Sequence, residues 1–113
     1  MTLGVCGIVL AAGAGTRYGG PKALARDDDG IPWVVRAVTT LREAGCAPVI
    51  VCLGAARAQA ASLVPAEATI VEVPEWAEGL SASVRAGLRA AAACDATAAL
   101  VIPVDVPGLP ASA

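Results

Sequence analysis

An apolar run, Val5 to Ala12, leads without interruption into Gly13-Ala-Gly15-Thr-Arg17-Tyr-Gly19-Gly20-Pro-Lys22, and this junction constrains the chain more than any other stretch. A continuous apolar run of this length bounded by glycine reads as a buried strand. Glycines at a strand's carboxyl end let backbone N–H groups come close to an anion, because no Cβ intervenes. Arg17 and Lys22 add two full positive charges at the same place, which suits a polyphosphate. A flexible surface turn with two solvated cations would explain the glycines alone. It does not explain the ordered set of strand, glycines, arginine and lysine.

Two familiar phosphate loops fail on context. A G-x-G-x-x-G fingerprint must open directly into a helix. Here Gly13-x-Gly15 is followed by Tyr18, and Gly19-Gly20-Pro21 would break a helix begun there. In a P-loop reading, Gly15 and Gly20 have the right spacing, but Pro21 stands where the lysine belongs and Ala23 follows Lys22.

The remaining pattern resembles the signature of the nucleotidyltransferase superfamily that transfers a nucleoside monophosphate from an NTP. Leu10-Ala11-Ala12-Gly13-Ala-Gly15-Thr-Arg17-Tyr18-Gly19, then Lys22-Ala23-Leu24, fits that signature position by position. The resemblance is to the MobA-like NTP transferases, nearest the molybdenum-cofactor (molybdopterin) cytidylyltransferase branch. It implies that Leu10, Ala11, Ala12, Gly13 and Gly15 bind nucleotide. Arg17 would then take the outer phosphates, and Lys22 would stabilise charge around the α-phosphate. The Ala-Ala form goes with pyrimidine nucleotides in this family, so the implied donor is CTP. Uridylyltransferases of sugar phosphates share that form.

Composition narrows the chemistry. The 113 residues are 57% hydrophobic, with no Phe, one Tyr and two Trp, so the core must be built from Ala, Val, Leu and Ile. The chain has the length of a single domain, residues 1–113. Net charge is −2 and there is no basic stripe, which argues against a nucleic-acid partner. Without histidine, neither Ser-His-Asp catalysis nor a histidine metal site can be built. Cys6, Cys46, Cys52 and Cys94 lack C-x-x-C spacing and read as buried free thiols. No apolar run reaches membrane-span length, and no Lys or Arg precedes the first run as in a signal peptide; a cytoplasmic location is expected.

Further along, Leu3–Leu10 reads as a central strand and Arg26-Asp27-Asp28-Asp29-Gly30 as a solvated charged turn. Ile31-Pro32-Trp33 opens a helix with Pro in its first turn; Val34, Val35, Val38 and Leu41 share a face, and Gly45 ends it. Trp33 is read as a packing residue. Ala47–Leu53 is a second strand, residues 55–63 a short helix, and Thr69–Val73 a third strand. A helix then runs to about Cys94, and Ala98–Val104 is a fourth strand. This alternation predicts an α/β fold, a Rossmann-like three-layer α/β/α sandwich with a mostly parallel sheet. Ligands bind beyond the carboxyl ends of the strands in such sheets.

Two later motifs extend the site. Ser81 or Ser83 falls in the first turn of the last helix, where a serine can be an ordinary N-cap. Trp76-x-x-Gly79-x-x-x-Ser83, with Gly87-Leu88 after it, resembles the second motif of the cytidylyltransferase branch, which implies that Gly79 and Ser83 line base and sugar. Asp105-Val106-Pro107 follows the fourth strand and resembles the family's Asp-x-Pro. Asp105 is thereby implied as a Mg²⁺ ligand, consistent with the preference of Mg²⁺ for carboxylate and phosphate oxygens. Family members continue with more strands and a second metal-binding aspartate in the half that binds the acceptor. No Asp follows Asp105 here, so a nucleotide-diphospho-sugar transferase-like fold that is C-terminally incomplete is expected. The implied reaction is transfer of CMP from CTP to a phosphorylated acceptor with release of pyrophosphate. Rival expectations are a guanylyl- or sugar-phosphate nucleotidyltransferase of the same fold and a non-catalytic nucleotide-binding module.

Overall fold

A computed structural model describes residues 4–13, 22–94 and 96–104. Among these residues four strands form one parallel sheet: β1 (Val5–Ala11), β2 (Val49–Leu53), β3 (Ala68–Glu72) and β4 (Ala98–Pro103). Their spatial order is β3-β2-β1-β4. β1 is therefore internal, as its two-sided apolar sequence predicts. Three helices connect the strands: α1 (Trp33–Glu43), α2 (Arg57–Ala60) and α3 (Leu80–Ala93).

The strand order dictates which face each helix covers. The β1→β2 and β2→β3 crossovers step the same way, so right-handed connections put α1 and α2 on one face. The β3→β4 crossover runs back over the sheet, so α3 belongs on the other. Packing agrees. Val34, Val38 and Leu41 of α1 and Ala60 of α2 share a core with Val9, Val49, Val51 and Leu53. Ala82 and Ala91 of α3 share the opposite core with Cys6, Ile8, Ile50 and Cys52. The sheet is a middle layer, and the expected α/β/α arrangement holds.

Small residues let these layers approach closely. A Cβ on Gly7 would lie 2.9 Å from Leu41 Cδ1, and a Cβ on Gly87 would lie 2.7 Å from Ile8 Cγ2. Two adjacent β1 residues thus meet helices on opposite faces through a glycine, one in the strand and one in α3. With so few aromatics, close aliphatic packing is how this sequence fills its core.

Local details depart from the sequence expectations. α1 begins at Trp33, and Pro32 is its N-cap residue instead of lying inside the first turn. Ala37 is buried, whereas Val35 is only partly so, because the helix turns a slightly different stripe inward. Trp33 packs against the α1-side core, as expected. The helix ends in a Schellman motif. Gly45 (φ +92°) donates its N–H to Arg42 O at 3.0 Å, and Cys46 donates to Leu41 O at 3.0 Å. The segment 55–63 divides into α2 and the 3₁₀ turn Ala61–Leu63. Cys6, Cys46 and Cys52 are buried, but Cys94 is exposed because it follows the last turn of α3, beyond the face that meets the sheet. No described helix is long and apolar enough to cross a membrane.

Candidate active site

The doubly wound order reverses between β1 and β4, since one crossover sequence leaves β1 toward β3 and the other returns past it. Open α/β sheets bind ligands at the carboxyl edge of such a switch point. The register brings the relevant strand ends together. Leu10 pairs with Pro103 on one side and with Cys52 on the other, and Val104 donates its N–H to Leu10 O at 3.1 Å. Leu10 and Ala11 finish β1; Ala12 and Gly13 leave it.

Ala11 and Ala12 are buried, Leu10 is partly buried and Gly13 is exposed. Among the described residues none lies within 4 Å of a Cβ placed on Gly13. Gly15, Arg17 and Asp105 lie outside the described residues, and Lys22 is described only as the first residue of the 3₁₀ turn Lys22–Leu24. Val104, which precedes Asp105, is buried against the α1-side core.

The second motif sits at the same edge. β3 leads through Val73, which donates to Leu53 O at 2.8 Å, into the 3₁₀ turn Trp76–Glu78 and then α3. Gly79 adopts φ +104° and is the N-cap residue of α3. A glycine suits that position because an L side chain is strained at positive φ. Neither serine is the N-cap. Ser81 is exposed, whereas Ser83 is 5% exposed, one turn into the helix. The Cys52 thiol donates to Ser83 O at 3.7 Å, which ties this turn of α3 to β2. Burial pushes the Cys52 thiol up to about 11, and burial likewise raises Cys6. Both thiols are therefore protonated near neutrality and poorly suited to nucleophilic or redox chemistry.

Sequence reasoning missed the residue where these pieces meet. Gly54, just after β2, would with a Cβ lie 2.6 Å from Trp76 Cβ and 2.8 Å from Ala12 O. Its neighbour Ala55 donates its N–H to Ala12 O at 3.0 Å. The available signal was a glycine directly after an apolar run, which reads equally well as an ordinary turn.

The Arg26–Gly30 turn is solvated, as expected, and is also internally bonded. Asp27 accepts N–H bonds from Asp29 (2.9 Å) and Ile31 (3.0 Å), and Arg36 Nε donates to it at 2.7 Å. Arg36 and these amides hold its carboxyl below the usual carboxylate range. Among the described residues no three His, Cys, Asp or Glu side chains converge as metal ligands.

The sequence matches the MobA-like NTP transferase domain over residues 7–113, and the chain belongs to that family. It is 44% identical over 110 residues to nicotine blue oxidoreductase of Paenarthrobacter nicotinovorans, covering 93% of this chain and 51% of that protein. The fold is similar to Rv0371c of Mycobacterium tuberculosis, with TM-score 0.79 and 29% identity over 98% of this chain and 57% of that one. It is also similar to Rv0371c in complex with manganese, with TM-score 0.70 and 26% identity over 96% and 54% of the two chains. The chain thus spans about half the length of these relatives.

Proposed function

We propose that this member of the MobA-like NTP transferase domain family binds a nucleoside triphosphate, CTP for preference, at the carboxyl edge of β1 and β4. It would contribute that site to transfer of the nucleoside monophosphate onto a phosphorylated acceptor. An acceptor phosphate oxygen attacks the α-phosphorus, the bond to the β-phosphate breaks, and pyrophosphate leaves. The observation that carries this reading is that the glycine-rich run leaves β1 at the point where the strand order reverses.

The residues divide the work by chemistry. Amides from Ala12 to Gly15 meet base and phosphates. Arg17 presents a planar fork of donors to the outer phosphates, and Lys22 a compact charge to the α-phosphate. Gly79 and Ser83 line base and sugar. Asp105 would hold Mg²⁺, an ion that prefers carboxylate oxygens. When bound, that ion would supply positive charge against the phosphates. The protein's own contribution is positioning and electrostatics.

A second reading is favoured by the nicotine blue oxidoreductase relative. In it, the same strand end holds the diphosphate of a redox dinucleotide.

Calorimetric titration of CTP, GTP, UTP, ATP and NADH, with and without Mg²⁺, on wild type and Asp105→Ala separates these readings. Magnesium-dependent preference for CTP, lost in the variant, is expected. A GTP preference would replace the cytidylyl reading with a guanylyl one. Tight NADH binding without a metal requirement would favour the redox reading, and NTP binding without pyrophosphate release a non-catalytic module. No binding by any of the five would sink the nucleotide site.

A further inference from the structure

Gly54 is a glycine for reasons of space. Its φ is not in the left-handed region, where only glycine is comfortable. What a side chain would meet there is specific: Trp76 Cβ at 2.6 Å, Ala12 O at 2.8 Å and Trp76 Cγ at 2.8 Å. Real Cβ atoms essentially never stand so close to backbone oxygen or to the root of another side chain. Three segments therefore converge on one missing Cβ. They are the end of β2, the root of the glycine-rich loop, and the turn that launches α3.

Each segment is also tied by the backbone. Ala55 N–H holds Ala12 O at 3.0 Å, so the loop's first carbonyl is fixed to the end of β2. Trp76 N–H donates to Val73 O at 3.2 Å, and Gly79 N–H to Trp76 O at 3.1 Å. Trp76, packed against the α3-side core, thereby sets where Gly79 and the first turn of α3 begin. By contrast, among the described residues nothing lies within 4 Å of a notional Cβ on Gly13 or Gly79.

We propose that Gly54 is a positioning residue whose missing side chain lets Trp76 and the Ala12 carbonyl close in on the end of β2, so that the root of the glycine-rich loop and the start of α3 form one unit and both walls of the nucleotide site keep a single spacing. This rests on the nucleotide-binding reading above. Gly54 acts through Ala12 and Trp76. A Cβ there must push one wall away from the other, and sub-ångström to ångström displacements of binding groups are costly.

The test compares Gly54→Ala with Gly7→Ala. Gly7 is also close-packed, with Leu41 Cδ1 at 2.9 Å, but lies toward the amino end of β1, away from the site. Both substitutions should lower the urea midpoint. Only Gly54→Ala should weaken CTP binding, by about tenfold or more by calorimetry. Trp76→Ala, which withdraws the indole without adding bulk, should weaken CTP binding in the same direction and serves if Gly54→Ala does not fold. Unchanged CTP affinity in Gly54→Ala, or in Trp76→Ala where that variant serves, would overturn the positioning role and leave the nucleotide site standing. Equal loss of affinity in Gly7→Ala would make the effect one of general stability and overturn it too. Absence of nucleotide binding by wild type would overturn both the site and this role.

Discussion

Gly87 of α3 faces Ile8 of β1 so closely that a Cβ on the glycine would lie 2.7 Å from Ile8 Cγ2 and 3.3 Å from Cys52 Sγ. In an exposed helix, Gly→Ala stabilises by about 1 kcal/mol through backbone entropy. Here the added methyl must enter a packed layer against a β-branched, fully buried side chain, at about 1–3 kcal/mol. The steric term wins. Gly87→Ala should lose about 1–2 kcal/mol in urea unfolding. Combined with Ile8→Ala, the two costs should fall short of their sum, because the second change removes the atoms the first one strikes. A stabilised Gly87→Ala protein would show that α3 sits farther from the sheet.

Asp27 binds Arg36 Nε at 2.7 Å and two loop amides, and its folded-state pKa is lowered. A lowered carboxylate pKa contributes stability that is present above the unfolded value, about 3.9, and is lost as pH falls through the folded value. Melting temperature should therefore fall between neutral and strongly acidic pH more steeply in wild type than in Asp27→Asn. The asparagine keeps an acceptor for the Ile31 amide but has no proton to gain. Identical slopes would mean that the Arg36 contact is not held in solution.

The thiols separate by burial. Cys94 is exposed, and Cys6, Cys46 and Cys52 are buried with raised pKa values. A disulfide-exchange reagent at neutral pH should modify Cys94 rapidly and the other three only on unfolding. For Cys52 the folded value is about 11 against an ordinary 9.0. Its contribution to stability is full below 9.0 and is lost as pH rises toward 11, because the unfolded thiol ionises first. Stability should decline over that window, and less so in Cys52→Ala measured against its own neutral-pH value.

How far the sequence announced this structure depends on the range of the interaction. Strand and helix identities follow from local apolar patterning, so Val5–Ala11, Val49–Leu53 and Leu80–Ala93 come out nearly where periodicity puts them. The internal place of β1 follows from its two-sided apolar sequence, but the strand order that puts a switch point between β1 and β4 has no local signal. Side-chain partnerships across the chain carry no such local signal. Gly54 meeting Trp76 and Ala12 depends on two loops converging in space. Asp27 looked like one of three interchangeable aspartates until Arg36, nine residues on, selected it. Cys94 is apolar by type, but it lies past the helical face that touches the sheet. The proposed phosphate-binding side chains were legible only as a motif. Arg17 and Asp105 lie outside the described residues, and experiment must assign their roles.

Lys22 is where that assignment is most direct. A compact ammonium near the α-phosphate stabilises charge that grows as the bond to pyrophosphate lengthens, so its effect should be larger on turnover than on ground-state binding. Lys22→Ala should then leave the melting temperature close to wild type and weaken CTP binding by about tenfold or less. Where pyrophosphate release is measurable it should fall by about a hundredfold or more. Lys22→Arg keeps the charge but replaces a point with a fork, and should restore binding better than rate. A rate that survives Lys22→Ala would remove the lysine from the chemistry and leave Arg17 and the bound metal to neutralise the departing pyrophosphate.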